Sequence, residues 1–322
     1  MILAYFSLIW SNDFHLFYSP SPIMEQKGGI DMDFYIVDVF AEEKYQGNQL
    51  AVLVPESNLT RKEMQQIAKE IHFSETSFIM SNKQENGGYD VRIFTPDEEV
   101  PFAGHPTLGT AYIINRIMEN GKASKVVLNL PVGQIPVVFN GDTLTMSQNE
   151  PSFDMKIDQL EFVARVLNIQ VEDIRTDFPI QLVSTGLPCI IVPLKSVDGV
   201  QRCSIDPLQF KRFLETYYKC NLLVFSEEES RDPNCLRVRV FMSDTGFYED
   251  PATGSANGNL AGYLLKYRFF DKEKIDVRVN QGYEMGRPSN VNMAAKLKNG
   301  TYDIQIGGKV QLVAKGDWLS SD

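Results

Sequence analysis

Two similar stretches of sequence decide the fold: "RIFTPDEEVPFAGHPTLGTAY" at residues 92–112 and "RVFMSDTGFYEDPATGSAN" at residues 239–257. Each begins with Arg-aliphatic-Phe, passes through a short polar loop and runs into the pattern Pro-x-x-Gly-[Ser/Thr]-Ala. Both lie where a strand is predicted to lead through a loop into a helix. The shared pattern in a shared context indicates an internal duplication, and therefore two lobes of similar fold.

The alignment of these stretches places His105 opposite Asp250 and Gly109 opposite Gly254. A proline follows each of the first two residues, and proline at the first helical position is preorganised for a helix. We therefore predict that the two helices begin at these prolines, with His105 and Asp250 as their N-caps. Aspartate is a good N-cap but histidine is a poor one, so the position of His105 needs another explanation.

Helix N-termini carry free N–H groups and the positive end of the helix dipole, which together favour anions. Gly104 and Gly254 would let a ligand approach the backbone there. If the two termini face each other, they form a site for a small carboxylate, with His105 and Asp250 beside it. Each of these two side chains also has a structural interpretation: Asp250 as a cap only, and His105 as a core histidine bonded to a carbonyl.

The stretch "IHFSETSFIM" (71–80) offers a candidate base, Glu75, between Phe73 and Phe78. A glutamate in an apolar pocket has a raised pKa, which suits general acid–base catalysis. The alternative is that Glu75 faces solvent or caps a neighbouring segment. His72 is predicted to end the preceding helix and is interpreted as structural.

The chain has 322 residues, a net charge of −11 and four cysteines. Negative charge without a basic patch argues against nucleic acid or a membrane surface as a partner. The cysteines form no C-x-x-C pair and none lies beside a histidine, so no metal site is expected. We interpret them as reduced, buried thiols of a cytoplasmic protein.

The order of predicted elements divides the chain into an N-terminal lobe over 32–148 and a C-terminal lobe over 149–307, with the last strand, 308–322, returning to the N-terminal lobe. Residues 1–31 begin with the apolar run "MILAYFSLIW". This run lacks the basic flank and the small-residue cleavage site of a signal peptide. We therefore expect residues 1–31 to be a poorly ordered extension outside the fold.

Five motifs together resemble the PhzF family of phenazine-biosynthesis-like isomerases. They are "GNQLAVL" (47–53), "SETSF" (74–78), "RIFTPDEEVPFAGHPTLGTA" (92–111), "EDPATGSANG" (249–258) and "QGYEMGRPS" (281–289). The resemblance runs from Met32 to about Trp318. It implies an α+β fold of the diaminopimelate epimerase-like class, with two pseudo-symmetric lobes, each a curved β-sheet or barrel around a central helix.

The resemblance also implies a function, namely an isomerase that needs no cofactor, works as a homodimer and moves a proton within a small carboxylate such as trans-2,3-dihydro-3-hydroxyanthranilate. Matched to the family's motifs, the catalytic residues are Glu75, His105 and Asp250, and the substrate-binding residues are Gly104, Pro106, Thr107, Gly254, Ser255, Ala256, Gln281, Gly282 and Arg287.

Related epimerases and racemases of this fold use one cysteine per lobe at these turns, and neither turn here contains one. A two-thiol racemisation is therefore not expected. Two alternatives stay open: a cofactor-independent epimerase or lyase acting on another small acid in the same cleft, and a ligand-binding protein without turnover.

Overall fold

The computed structural model describes residues 32–56, 59–228, 234–243 and 249–319. The extension predicted over residues 1–31 lies outside these ranges. The strands are β1 Met32–Val39, β2 Asn48–Val54, β3 Thr76–Ile79, β4 Tyr89–Phe94, β5 Glu99–Val100, β6 Lys125–Leu130, β7 Gly133–Asn140, β8 Thr143–Ser147, β9 Ser152–Ile157, β10 Ile180–Ser184, β11 Pro188–Pro193, β12 Asn221–Glu227, β13 Cys235–Phe241, β14 Glu249–Asp250, β15 Lys274–Gln281, β16 Ser289–Lys298 and β17 Thr301–Trp318. The α-helices are α1 Arg61–Ile71, α2 Gly104–Ile117, α3 Leu160–Leu167, α4 Val197–Arg202, α5 Pro207–Thr216 and α6 Gly254–Lys266, and a 3-10 turn spans Val171–Asp173.

The N-terminal lobe is a closed barrel around α2. Its strands pair in the order β1, β2, β3, β4, β6, β7, β8 and β17, and the far end of β17 pairs with β1 to close the ring. The sequence of α2 is small and apolar, and the helix is buried on nearly every side. At Gly109 a Cβ atom would lie only 2.6 Å from Leu50 Cδ2, so glycine is needed for the close approach of α2 to β2.

The C-terminal lobe repeats this topology around α6. The parallel pairs β2–β3 and β4–β6 of the first lobe correspond to the parallel pairs β11–β12 and β13–β15 of the second. Antiparallel pairs connect the remaining strands in the same order in both lobes. The expected α+β architecture with two pseudo-symmetric lobes is confirmed.

Matching ion pairs fix the loop before each central helix. Arg92 on β4 makes a bidentate pair with Glu99, with both N–O distances 2.7 Å. Arg239 on β13 makes the same pair with Glu249, at 2.8 and 2.7 Å. Each guanidinium also lies over the ring of the phenylalanine two residues later. The Arg-aliphatic-Phe pattern thus marks a repeated structural unit, and bidentate geometry explains why arginine serves here.

The predicted helix starts were wrong. Helix α2 begins at Gly104 and α6 begins at Gly254, so these two glycines are the equivalent positions. Gly109 lies in the second turn of α2, and its alignment with Gly254 was therefore incorrect. Pro106 falls inside the first turn, where an amide is not needed for the helix. Asp250 lies in β14 and is not an N-cap, a position that Thr253 occupies.

Two smaller expectations are confirmed by the structure. His72 ends α1 in the left-handed conformation, with φ 57°, and all four cysteines are buried thiols outside any disulfide. Strand β17 crosses between the lobes, because its first part pairs with β16 and its last part with β1. The exact lobe boundaries remain a prediction. In the part of the chain that the structure describes, no helix is long and apolar enough to cross a membrane.

Candidate active site

The N-termini of the two central helices meet at the boundary between the lobes. A Cβ atom on Gly104 would lie 3.3 Å from the Cα atom of Gly254 and 3.4 Å from the amide nitrogen of Ser255. Glycine at both helix starts is what allows the two backbones to come this close. Because the first amides of a helix have no acceptor within it, two sets of free N–H groups converge here.

A narrow cavity of about 70 Å³ opens at this junction. Six of the residues selected from the sequence line it: Glu75, Gly104, His105, Asp250, Gly254 and Ser255. The segment after α1, strand β14 and both helix starts therefore converge on one small space. We call it the catalytic cavity below.

Glu75 and His105 face each other across the cavity. Oε2 of Glu75 lies 3.5 Å from Nε2 of His105, and neither atom has a hydrogen-bond partner. The ring of His105 bonds instead to the backbone carbonyl of Gln49, which leaves Nε2 as the free nitrogen. Glu75 keeps 19% of its side-chain surface exposed, so a ligand can reach it.

Burial shifts both titratable groups toward their neutral forms. Burial, and then the charge of Asp250, raise the pKa of Glu75 to about 8. Burial lowers the pKa of His105 to about 3, against a smaller raising effect of its bond to Gln49. At neutral pH Glu75 is therefore mostly a carboxylic acid and His105 an uncharged imidazole. Oε2 of Glu75 and Nε2 of His105 can thus face each other without a buried net charge.

Asp250 is held from both lobes. The side-chain amide of Asn48, on β2, donates to the carboxylate Oδ1 at 2.8 Å. The hydroxyl of Thr253 donates to Oδ2. Burial raises the pKa of Asp250 to about 6, while these two hydrogen bonds lower it and the charge of Glu249 raises it. Asp250 is thus mainly ionised at neutral pH and fixed in orientation.

A second layer of buried amides supports this arrangement. The side chain of Gln281 donates to the backbone carbonyl of Asp250 at 2.9 Å and to Oγ of Thr253 at 3.1 Å. Asn257 on α6 donates to Oε1 of Gln281 at 2.9 Å. Gln281, expected to bind substrate, therefore lies beneath Asp250 and does not line the cavity. Its contacts give it a positioning role.

Arg287 also lies elsewhere than its motif suggested. Its guanidinium contacts Asp38 at 2.6 Å and the backbone carbonyls of Gln46 and Gly47 at 2.7 and 3.0 Å. These contacts join the loop after β15 to the N-terminal lobe. Arg287 does not line the cavity, and its contacts hold the two lobes together, while its part in substrate binding stays a prediction.

The remaining motif residues surround the site without lining it. A Cβ atom on Gly282 would lie 2.4 Å from the carbonyl of Arg287, and its φ is +75°, so glycine is required by the turn. The hydroxyl of Thr107 donates to the carbonyl of Ala103 at 2.8 Å. Pro106 and Ala256 are buried in the first turns of α2 and α6.

Sequence analysis missed several residues at the cavity. Asn48 does not line the cavity but donates a hydrogen bond to Asp250. The lining residues that were missed are Ser74, Ala103, Leu187, Asn221, Met242, Glu249 and Thr253. Asn48 lies inside the motif "GNQLAVL", so the sequence does mark its position. Leu187, Asn221 and Met242 come from ordinary strand ends, and no sequence pattern marks them.

Comparisons with known proteins agree with this architecture. The sequence model of the family described as "Phenazine biosynthesis-like protein" matches residues 37–316. The chain belongs to the PhzF family. It is 32% identical over 296 residues to an uncharacterised isomerase of Clostridium acetobutylicum, covering 88% of this chain and 97% of that protein. It is also 32% identical over 262 residues to the trans-2,3-dihydro-3-hydroxyanthranilate isomerase of Pseudomonas fluorescens, covering 80% of this chain and 88% of that protein.

Solved structures support the same assignment. The chain resembles a PhzF-family phenazine biosynthesis protein of Bacillus anthracis with a TM-score of 0.81 at 26% identity, over 90% of this chain and 99% of that chain. A hydroxyproline epimerase of Agrobacterium vitis, at 12% identity, matches with a TM-score of 0.56 over 91% of this chain and 93% of that chain, and shares the fold alone. This PhzF-family chain is an isomerase.

Proposed function

We propose that this PhzF-family isomerase moves a proton within a small carboxylate-bearing substrate, with Glu75 as the single acid and base. The observation that carries the proposal is the unpartnered Oε2 of Glu75, which borders the catalytic cavity beside the convergent helix N-termini. A buried polar atom without a hydrogen-bond partner costs free energy, and a bound substrate would supply the missing partner.

The substrate carboxylate would bind at the two helix starts. Free amides at Gly104, Gly254 and Ser255 and the hydroxyl of Ser255 provide donors there, and both helix dipoles favour negative charge. The same donors would stabilise an enolate-like charge as it develops when the neighbouring carbon loses its proton.

Proton transfer would begin from the ionised form of Glu75. With a pKa of about 8, roughly a tenth of the free enzyme carries this form at pH 7. Glu75 takes a proton from one substrate carbon and, now a carboxylic acid, returns it to another. Neutral His105, whose Nε2 lies 3.5 Å from Oε2, places no positive charge beside the carboxyl group and so leaves the raised pKa of Glu75 in place.

Asp250 would orient the substrate at the far side of the cavity. It is ionised, and two donors hold it in place, so it can accept a hydrogen bond from an amine or hydroxyl group. Trans-2,3-dihydro-3-hydroxyanthranilate, which names the relative from Pseudomonas fluorescens, carries a carboxylate together with such groups. We propose a substrate of this class, acted on in the cytoplasm by a homodimer. Four buried thiols outside any disulfide are consistent with a reducing compartment.

A second candidate function is epimerisation or elimination on another small acid in the same cavity. The same acid–base group would serve either reaction, and the product distinguishes them. Neither helix start carries a cysteine, which disfavours the two-thiol form of epimerisation. Ligand binding without turnover is the third possibility, and it would leave the raised pKa of Glu75 without a use.

The test is deuterium incorporation in D2O, followed by mass spectrometry, with trans-2,3-dihydro-3-hydroxyanthranilate as the first substrate. Wild type, Glu75→Gln and a control, Glu70→Gln on the exposed face of α1, are compared. The proposal expects deuterium in the product from wild type and Glu70→Gln, and none from Glu75→Gln. Incorporation by Glu75→Gln at the wild-type rate would overturn the role of Glu75. If wild type is inactive on this acid, a panel of unsaturated and α-amino carboxylates follows.

A further inference from the structure

The catalytic groups and the available space lie in different cavities. The catalytic cavity has a volume of about 70 Å³, whereas small-molecule sites in proteins usually measure roughly 300–1,000 Å³. A larger cavity of about 460 Å³ lies along α5, and we call it the α5 cavity. Met242, which follows β13, forms part of the wall of both.

A hydrogen bond also connects the two walls. Asn221, at the start of β12, lines the catalytic cavity, and its Oδ1 accepts the backbone N–H of Ser243 at 3.3 Å. Ser243 lines the α5 cavity. Met242 and its neighbour Ser243 thus connect the walls of the two cavities. Methionine is unbranched and flexible, so it is a partition that can change its rotamer without a change in the backbone.

The α5 cavity has an apolar floor and a charged rim. Phe210, Leu214 and Met242 supply apolar surface, while Lys211, Glu215 and Lys219 lie around the opening. Apolar surface left in contact with water is unfavourable, and an apolar ligand that covers it gains free energy in proportion to the area buried. The lining therefore fits an apolar group far better than a second small anion.

We propose that the two cavities form one bipartite substrate site. The carboxylate and the reacting carbons lie in the catalytic cavity, and an apolar arm of the same molecule passes Met242 into the α5 cavity. The substrate is then a carboxylic acid that carries an apolar arm beyond its reacting carbons. The inference rests on the proposed function for the position of the carboxylate. It assigns to Met242 and Leu214 the contacts that determine which apolar arm the site accepts.

The test compares butanoate with octanoate as probes, with binding measured by calorimetry and by ligand-observed NMR. Each buried methylene adds roughly 0.8 kcal/mol, or about fourfold in affinity. Octanoate is therefore expected to bind wild type at least about tenfold more tightly than butanoate, and the two acids should displace each other. Leu214→Trp, which fills the α5 cavity, should remove the gain for octanoate and leave butanoate unchanged.

Leu208→Trp is the matched control, because Leu208 lies on the same helix, is 58% exposed and does not line the cavity. Leu208→Trp should keep the higher affinity for octanoate over butanoate. Equal affinities for the two acids, simultaneous binding of both, or a gain that survives in Leu214→Trp would each overturn the bipartite site. Failure of both acids to bind would also overturn it. The deuterium experiment judges the proposed function separately, because it requires neither probe.

Discussion

The side-chain amide of Asn48 donates a 2.8 Å hydrogen bond to the carboxylate of Asp250, across the boundary between the two lobes. The same amide group also donates to the carbonyl of Ala252 at 3.0 Å. One residue of the N-terminal barrel thus positions the reacting edge of the C-terminal lobe.

Replacement of Asn48 by alanine should lower kcat without unfolding the protein. Loss of a hydrogen bond to a buried charged group costs roughly 1.5–3 kcal/mol, which corresponds to a decrease of about ten- to a hundredfold. Because the lost bond lowers the pKa of Asp250, that pKa should rise in the variant. Steady-state kinetics over a range of pH measures both effects, and Asn292→Ala, at an exposed position, is the control. An unchanged pH profile would mean that Asn48 is structural only.

The pH dependence of kcat/KM should follow the ionisation of Glu75. The base must be deprotonated to accept a proton, so kcat/KM should rise with pH and level off above the raised pKa of about 8. Asp250→Asn removes a negative charge that contributes to this shift, so the midpoint should move to lower pH. A midpoint near the ordinary glutamate value of about 4.3 in wild type would contradict the assigned role.

Stability should depend on pH through the same group. The pKa of Glu75 is about 8 in the folded protein and about 4.3 when unfolded, so the folded state binds the proton more tightly. The free energy of unfolding therefore decreases as pH rises between these values. Glu75→Gln lacks this decrease in stability and should be more stable than wild type at pH 8 to 9, by at most about 5 kcal/mol.

Chemical denaturation at several pH values measures that difference. The advantage of Glu75→Gln over wild type should be smallest near pH 4 and should grow toward pH 8, whereas Glu70→Gln should differ from wild type by a constant amount. A constant difference for both variants would show that Glu75 is not held in a desolvated position.

Replacement of Gly104 by alanine should weaken substrate binding. The new Cβ atom would lie 3.3 Å from the Cα atom of Gly254 and from Cε of Met146, so the helix ends must separate by a few tenths of an ångström. Donors at both ends can then no longer reach one carboxylate, and KM should rise about tenfold, or about 1.4 kcal/mol. Gly316→Ala, whose Cβ atom meets nothing within 4 Å, is the control and should leave KM unchanged.

Much of the fold could be predicted from the sequence because the duplication left local patterns in both halves. Arg92 and Arg239 each pair with a glutamate in the corresponding position of their own half. Both central helices also begin with glycine and carry small residues in their first two turns. The register of the repeat could not be predicted from the letters. Pro106 lies within the first turn of its helix and Pro251 lies before the other, so a match of the two prolines misaligned Gly109 with Gly254.

The site was predicted in part for a similar reason. Glu75, His105 and Asp250 lie in local motifs, and the structure brings them to one cavity. Arg287 and Gln281 belong to a motif as well, but their partners lie far away in sequence, at Asp38 and Asp250. Only the folded chain shows that Arg287 connects the two lobes and that Gln281 supports the carboxylate of Asp250. Met242 has no local signal at all, since its importance comes from two cavities on either side of it.

The most direct test of a single shuttling carboxylate is the fate of the proton that it removes. Trans-2,3-dihydro-3-hydroxyanthranilate, or the active acid identified from the panel, would be deuterated at the carbon that loses its proton and converted in H2O under single-turnover conditions. The account predicts that part of the label reaches the acceptor carbon of the product, because Glu75 carries the same proton in a cavity of about 70 Å³. Product that contains solvent hydrogen alone at every temperature tested would contradict it, because none of the removed proton would then have been returned to the substrate.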